Sequence, residues 1–215
     1  VALPAPATDW IEIENPGTVA VSLAGWSLSD NADPRRFVFP QGTDLHAGAR
    51  LRVWMGTNIT AGTLTTGFSL AASGETLALY SPTGDRVDAV SFAHIPANYS
   101  LGRVGTDGAW TLCEPTPEAP NEPASTASPA SAVINEWLAN PAPGGDDWIE
   151  IHNRDLSLPL AMRGFHIATS NALATLRSHV FIPPGGFVVL AADQNPGPAH
   201  VDLKFPAAAG MIALL

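Results

Sequence analysis

Short runs in which apolar and polar residues alternate fill this chain. They include Trp10-Ile11-Glu12-Ile13-Glu14, Val19 to Leu23, Trp26-Ser27-Leu28, Arg50-Leu51-Arg52-Val53-Trp54, Thr76-Leu77-Ala78-Leu79-Tyr80 and Val87-Asp88-Ala89-Val90-Ser91-Phe92. A period of two sends successive side chains to opposite faces of a strand, so each run predicts a strand with one buried and one solvated face. Glycine and proline interrupt the pattern so often that the longest stretch free of both is Phe165 to Ile182, which itself carries the polar cluster Thr169-Ser170-Asn171. Long helices have no room. Strands at this spacing, bounded by turn residues, predict half-buried antiparallel sheet in a sandwich or barrel.

The pattern also repeats. Asp9-Trp10-Ile11-Glu12-Ile13-Glu14-Asn15 returns 138 residues later as Asp147-Trp148-Ile149-Glu150-Ile151-His152-Asn153, identical at six of seven positions. Further matches follow at similar displacement: Gly25-Trp26-Ser27-Leu28 with Gly164-Phe165-His166-Ile167, Leu45-His46-Ala47-Gly48 with Ile182-Pro183-Pro184-Gly185, and Gly74 before Leu77 with Gly210 before Ile212. Repetition of this kind predicts two copies of one fold. Between them, Glu114 to Ser131 holds five prolines among Ser, Thr, Ala and Glu, a composition that favours an extended polyproline-like connector. The predicted organisation is therefore residues 1–113, a linker over 114–131, and a second copy over 132–215. Ala132 to Ala139 reads as an opening strand for which the first copy has only Val1 to Thr8, and the second copy stops before any counterpart of Val87 to Phe92. Each copy is expected to lack terminal strands, as in a window cut from a longer array.

These residues resemble the bacterial lamin-tail domain family over nearly the whole chain. The resemblance is carried by Ile134-Asn135-Glu136, Asp-Trp-Ile-Glu-Ile with a following Asn, Leu23 to Asp30, Phe39-Pro40 before Leu45-His46-Ala47-Gly48, Val53-Trp54, Val87-Asp88, Ser100-Leu101-Gly102-Arg103 and Pro115-Thr116-Pro117-Glu118-Ala119-Pro120-Asn121. Gly164-Phe165 stands where the pattern usually has Gly-Trp. The resemblance implies two tandem immunoglobulin-like β-sandwiches, the second truncated. It also implies a module rather than a reaction: the nuclear lamin tail in animals, and in bacteria a repeated part of secreted or surface proteins, sometimes beside nucleases, phosphoesterases or spore-coat-protein-H-like kinases.

Charge narrows the partners. Ten Lys and Arg against twenty Asp and Glu give a net charge of −10, which repels phosphate backbones and anionic lipid, so no nucleic-acid partner is expected. No apolar run is long enough to insert into a membrane, and Val1-Ala2-Leu3-Pro4 has neither the basic flank nor the apolar run of a signal peptide, as expected of a mature chain, an internal fragment or a cytosolic protein. Cys113, the single cysteine, excludes an internal disulfide and any multi-cysteine metal site.

Candidate chemistry is sparse. Glu12 and Glu14 leave one face of a strand about 7 Å apart, within range of a paired-carboxylate glycosidase, but the same alternation puts Ile11 and Ile13 inward and makes this the solvated face. The six histidines show neither His-x-His nor His-Glu-x-x-His spacing, and Asp30-Asn31-Ala32-Asp33 reads as a turn, because Arg35 and Gln41 stand where a calcium loop would need glycine and glutamate. Walker, nucleophile-elbow and dinucleotide motifs are absent, and Cys113 has no evident base. No cofactor or metal is expected. Six tryptophans are many for 215 residues. Trp26 is expected in the core, while Trp10 and Trp148 share the outward parity of Glu12 and Glu150, which makes Trp10, Glu12, Trp148 and Glu150 the candidate binding residues, with Trp54 and Trp137 behind them. The expected function is a noncatalytic binding or spacer module of a bacterial extracellular or cell-surface protein, with a protein or surface glycan as partner. A carbohydrate-binding module appended to an extracellular enzyme is the rival. Self-association through open sheet edges is expected, strongest at the second copy.

Overall fold

A computed structural model describes residues 9–56, 63–195 and 197–215 of the chain. Among these residues the only helix is one 3-10 turn at Pro129–Ser131, and the remaining regular structure is strand. The chain divides into two compact units, the first comprising 1–71, 76–90 and 115–122, the second 72–75, 91–114 and 123–215. Their limits do not follow the expected ones: Ser91–Glu114 falls with the second unit rather than ending the first. The proline-rich stretch is not a free connector either. Pro115–Glu122 is seated in the first unit, and Ala127 is buried in the second unit's core, with its N–H donated to the Pro159 carbonyl at 2.9 Å.

In the first unit β1 (Asp9–Glu14), β2 (Val21–Ser22), β3 (Ser27–Ser29), β4 (Phe37–Val38), β5 (Asp44–Leu45), β6 (Arg50–Met55), β7 (Glu75–Tyr80) and β8 (Arg86–Phe92) form three small sheets. Their orders are β1-β6, β2-β5 and β4-β3-β7-β8. The run Val19 to Leu23 shortens to two strand residues because Leu23 turns inward and gives its N–H to the Thr43 carbonyl. The core gathers Leu23, Leu28, Phe39, Leu45, Val53, Met55 and Phe68, with Ile11, Ile13 and Trp26 packed against it as partly buried residues. An opening strand for this copy would fall on Val1 to Thr8, which lie outside the described residues.

The second unit contains β9 (Ser100–Val104), β10 (Ala109–Glu114), β12 (Ala132–Leu138), β13 (Asp147–Asn153), β14 (Leu160–Ala161), β15 (His166–Thr169), β16 (Leu173–Thr175), β17 (Phe181–Ile182), β18 (Phe187–Ala192) and β19 (Ile212–Leu214), and the division between the units falls within β11 (Glu122–Pro123). Sheets run β11-β10-β9, β12-β13-β18, β14-β17 and β16-β15-β19. β12 pairs with β13 as the alternation over Ala132 to Ala139 requires, with a bulge between Ile134 and Glu136. β13 alternates buried and half-buried along its whole length, so Ile149 and Ile151 reach zero exposure while Trp148, Glu150 and His152 face outward. Each such isoleucine contributes roughly 1.5–3 kcal/mol of burial. Of the apolar tail, Ile212 and Leu214 pack on the core, and Met211 and Leu215 are exposed.

The bonds that shape the first unit recur at matched positions of the second. Gly25 and Gly164, both at positive φ (81° and 92°), give their N–H groups to the carbonyls of Phe39 and Leu176. Trp54 and Ala191 each exchange two backbone bonds with the segment that follows their strand, Leu64–Thr66 and Ala199–Val201.

Candidate interaction surface

The repeated motif has two faces, and they do different work. Its inner face carries Asp, Ile, Ile and Asn at intervals of two, with apolar residues in the middle and polar residues at the ends. Asn15 is buried, and its Nδ2 donates to the carbonyls of Val19, Leu45 and His46 at 2.8, 3.0 and 3.2 Å while Oδ1 accepts from Gly17 N–H at 3.0 Å. Asn153, at zero exposure, repeats this with Leu158, Ile182 and Pro183 at 2.9, 3.3 and 3.1 Å, and accepts from Asp155 N–H at 3.0 Å. A two-hydrogen amide shared among three carbonyls satisfies the ends of strands that have no ladder partner there. At the other end, Asp9 accepts from Leu70 N–H at 3.2 Å, and Asp147 from Phe205 N–H at 2.9 Å and Asn140 N–H at 3.3 Å. The two polar residues of the motif pin loops to the sheet; sequence reading did not single them out, although their recurrence at fixed spacing was the available signal.

The outer face holds all four candidate residues, each half-buried. In the first unit Trp10 opposes Trp54, Glu12 opposes Arg52 and Glu14 opposes Arg50. Glu12 and Glu14 are not a free carboxylate pair. Glu14 bonds Arg50 at 2.6 Å, and Glu12 accepts the Glu118 N–H at 2.6 Å, with only 12% of its side chain exposed. The Glu118 carboxylate bonds Arg52 at 2.9 Å, and the Arg52 guanidinium lies 5.0 Å over the Trp54 ring. Glu118 itself holds a left-handed backbone, φ 65°, at the tip of a turn closed by Ala119 N–H to the Thr116 carbonyl. The expected solvated face is therefore covered by Pro115–Glu122. Within that cover the Thr116 hydroxyl is buried with no hydrogen-bond partner. Thr116→Val is expected to raise stability by about 1 kcal/mol in urea unfolding, since an orphaned hydroxyl is replaced by a methyl of the same shape; a loss of that size would show that the hydroxyl is satisfied in solution.

In the second unit the matching face is open. Across β12, β13 and β18 it reads Leu138, Trp148, Ala191; then Glu136, Glu150, Val189; then Val133, His152, Phe187. The His152 and Phe187 rings stack at 4.4 Å, and Leu138, Phe187 and Val189 are 38, 48 and 50% exposed. Glu136 directly opposes Glu150, a like-charge pair, and the bulge lets Asn135 donate its amide to Glu150 at 2.6 Å.

Several other polar groups also serve the fold. Asn31 and Asp33 cap backbone N–H groups of the Asp30–Arg35 turn, and Asp30 pairs with Arg36, so this loop is the turn that its sequence implied. Among the described residues no cluster of three His, Cys, Asp or Glu side chains is placed to hold a metal. Cys113 is fully buried, and burial pushes its thiol pKa up, against a smaller lowering by the Gly102 backbone. Burial also raises the Asp193 carboxyl, but hydrogen bonds from Asn195 and from His200, with the charge of His200, outweigh it and hold the group down to about 2. His179 is buried against Arg163, whose Nη1 lies 2.8 Å from Nε2; burial first and the Arg163 charge second lower its pKa to about 4.

Residues 2–94 match the family model of the Lamin Tail Domain. The all-β architecture of several small sheets fits the immunoglobulin-like β-sandwich of that family. A search of the curated proteins and a search of the solved structures returned no match.

Proposed function

We propose that the chain carries two lamin-tail-type copies and serves as a noncatalytic interaction module of a bacterial secreted or cell-surface protein. One observation carries this reading: the Asp and Asn of the repeated motif are spent on the fold, and the outward surface left on the second unit is aromatic and apolar around two facing carboxylates. Asp9, Asn15, Asp147 and Asn153 hold loops and strand ends, and Glu12 and Glu14 are tied to a backbone amide and to Arg50. The open face sets aromatics, Trp148 on one side and His152 with Phe187 on the other, around a central row of Glu136, Glu150 and Val189, a mix of apolar anchors and carboxylates that suits a recognition patch. A stacked His152–Phe187 pair also suits a sugar ring, which favours the carbohydrate-binding rival as a second reading. The edge of β19, outermost in its sheet, supplies backbone donors and acceptors for pairing with a second chain.

The test is a glycan array and pull-down on insoluble polysaccharide, run beside light scattering and a panel of glycoside, phosphoester and ester substrates. Glycan binding lost in Trp148→Ala selects the carbohydrate reading. No glycan binding and no turnover are expected for a protein-interaction module, and turnover that disappears in Glu150→Gln would overturn the noncatalytic reading.

A further inference from the structure

The geometry points to the outer face of β12, β13 and β18 as a docking site for a partner's proline-rich turn that carries a basic residue where Pro115–Asn121 carries Glu118. The inference rests on the interaction-module reading and names the class of partner.

The first unit supplies the template. There the face built from β1 and β6 is already occupied by Pro115–Glu122, whose turn presents a backbone N–H to Glu12 at 2.6 Å and a carboxylate to Arg52 at 2.9 Å. The second unit keeps the acceptor, with Glu150 at the place of Glu12 and Trp148 at the place of Trp10, yet among the described residues no segment like Pro115–Glu122 covers the face, where Phe187 and Val189 are half exposed. What differs is charge. Val189 and Phe187 stand where Arg52 and Arg50 stand, so the two cations are gone, and β12 adds Glu136 opposite Glu150. Among the described residues neither Glu136 nor Glu150 has an ion-pair partner within 4.0 Å. A turn bearing an acid at the Glu118 place would meet two carboxylates on apolar ground, whereas a basic residue there would meet complementary charge. Prolines suit the rest of the patch, because a pre-set backbone loses little entropy when it lies on aromatic and branched side chains.

The experiment uses the whole chain, labelled with nitrogen-15, and synthetic peptides spanning residues 114–123, one as it stands and one with Glu118→Lys. The lysine peptide is expected to shift the amides of β12, β13 and β18 and to bind roughly threefold or more tighter than the glutamate peptide, a gap that closes at high salt. Val189→Arg, on an exposed position, restores the cation of the first unit and is expected to reverse the preference. Absence of shifts on these strands at about 1 mM peptide, shifts confined to other surfaces, or a preference unmoved by Val189→Arg would each overturn the inference. If the glycan array or light scattering meanwhile reveals a partner bound elsewhere, the module reading stands without this site.

Discussion

Asn153→Ala is expected to destabilise the second unit by about 3–5 kcal/mol, at the upper end of single-residue effects. The side chain is at zero exposure and donates to three carbonyls, those of Leu158, Ile182 and Pro183, of which Pro183 keeps the Gly186 N–H at 2.9 Å when the amide is removed. Alanine also leaves Asp155 N–H without its acceptor. Asn153→Asp keeps that acceptor but faces a carboxylate toward three carbonyl oxygens, so it is expected to cost at least as much. Asn15→Ala removes the same four bonds from the first unit at a site that is 6% exposed, where water reaches more readily, and the expected loss is smaller. Urea unfolding followed at amides assigned to each unit measures both, because a single averaged transition would mix two units. A loss under about 1 kcal/mol for Asn153→Ala would mean that water replaces the amide and that the network is not structural.

The same asparagine marks where sequence reading stops. Alternation located β1, β6, β7 and β8 closely, and the repeat carried the face assignment of β1 over to β13, since a period of two is a property of single strands and survives without tertiary information. It also placed Trp26 against the core and Asp30–Asp33 in a turn. What it missed depends on partners distant in sequence. The acceptors of Asn15 include Leu45 and His46, about thirty residues on, and Glu12 meets Glu118 from the far end of the unit. The proline count over 114–131 suggested an unpacked connector, but a turn needs only one left-handed residue and one good acceptor to dock, and Glu118 with Glu12 provides both. Likewise the outward parity of Trp10 and Trp148 was legible, whereas the cover on the first and the open face around the second were not.

The stability of the second unit is also expected to fall as pH drops from 6.5 to 4, through His179. Arg163 has no acceptor, so Nε2 of His179 must accept its N–H and the ring is neutral with its proton on Nδ1. Protonation would set a second cation 2.8 Å from the guanidinium in a site 3% exposed. In the unfolded chain the ring takes up a proton near 6.5, and in the folded chain only near 4. Between those values the unfolded state binds more protons, so stability rises with pH across the window and is fully present above it. The slope is about 1.4 kcal/mol per pH unit, giving a loss on the order of 3 kcal/mol by pH 4 and none further below. Asp193 works in a separate window, since its lowered carboxyl adds stability that is lost only as pH falls from 3.8 toward 2. The measurement is urea stability of the second unit at pH 7 and 4.5, for the parent chain and for His179→Gln, which can still accept from Arg163 but does not titrate. The variant is expected to lose the slope, and equal slopes in both would remove His179 as its source. Arg163→Gln is expected to flatten it only in part, because burial, the larger cause of the lowered pKa, remains when the neighbouring charge is gone.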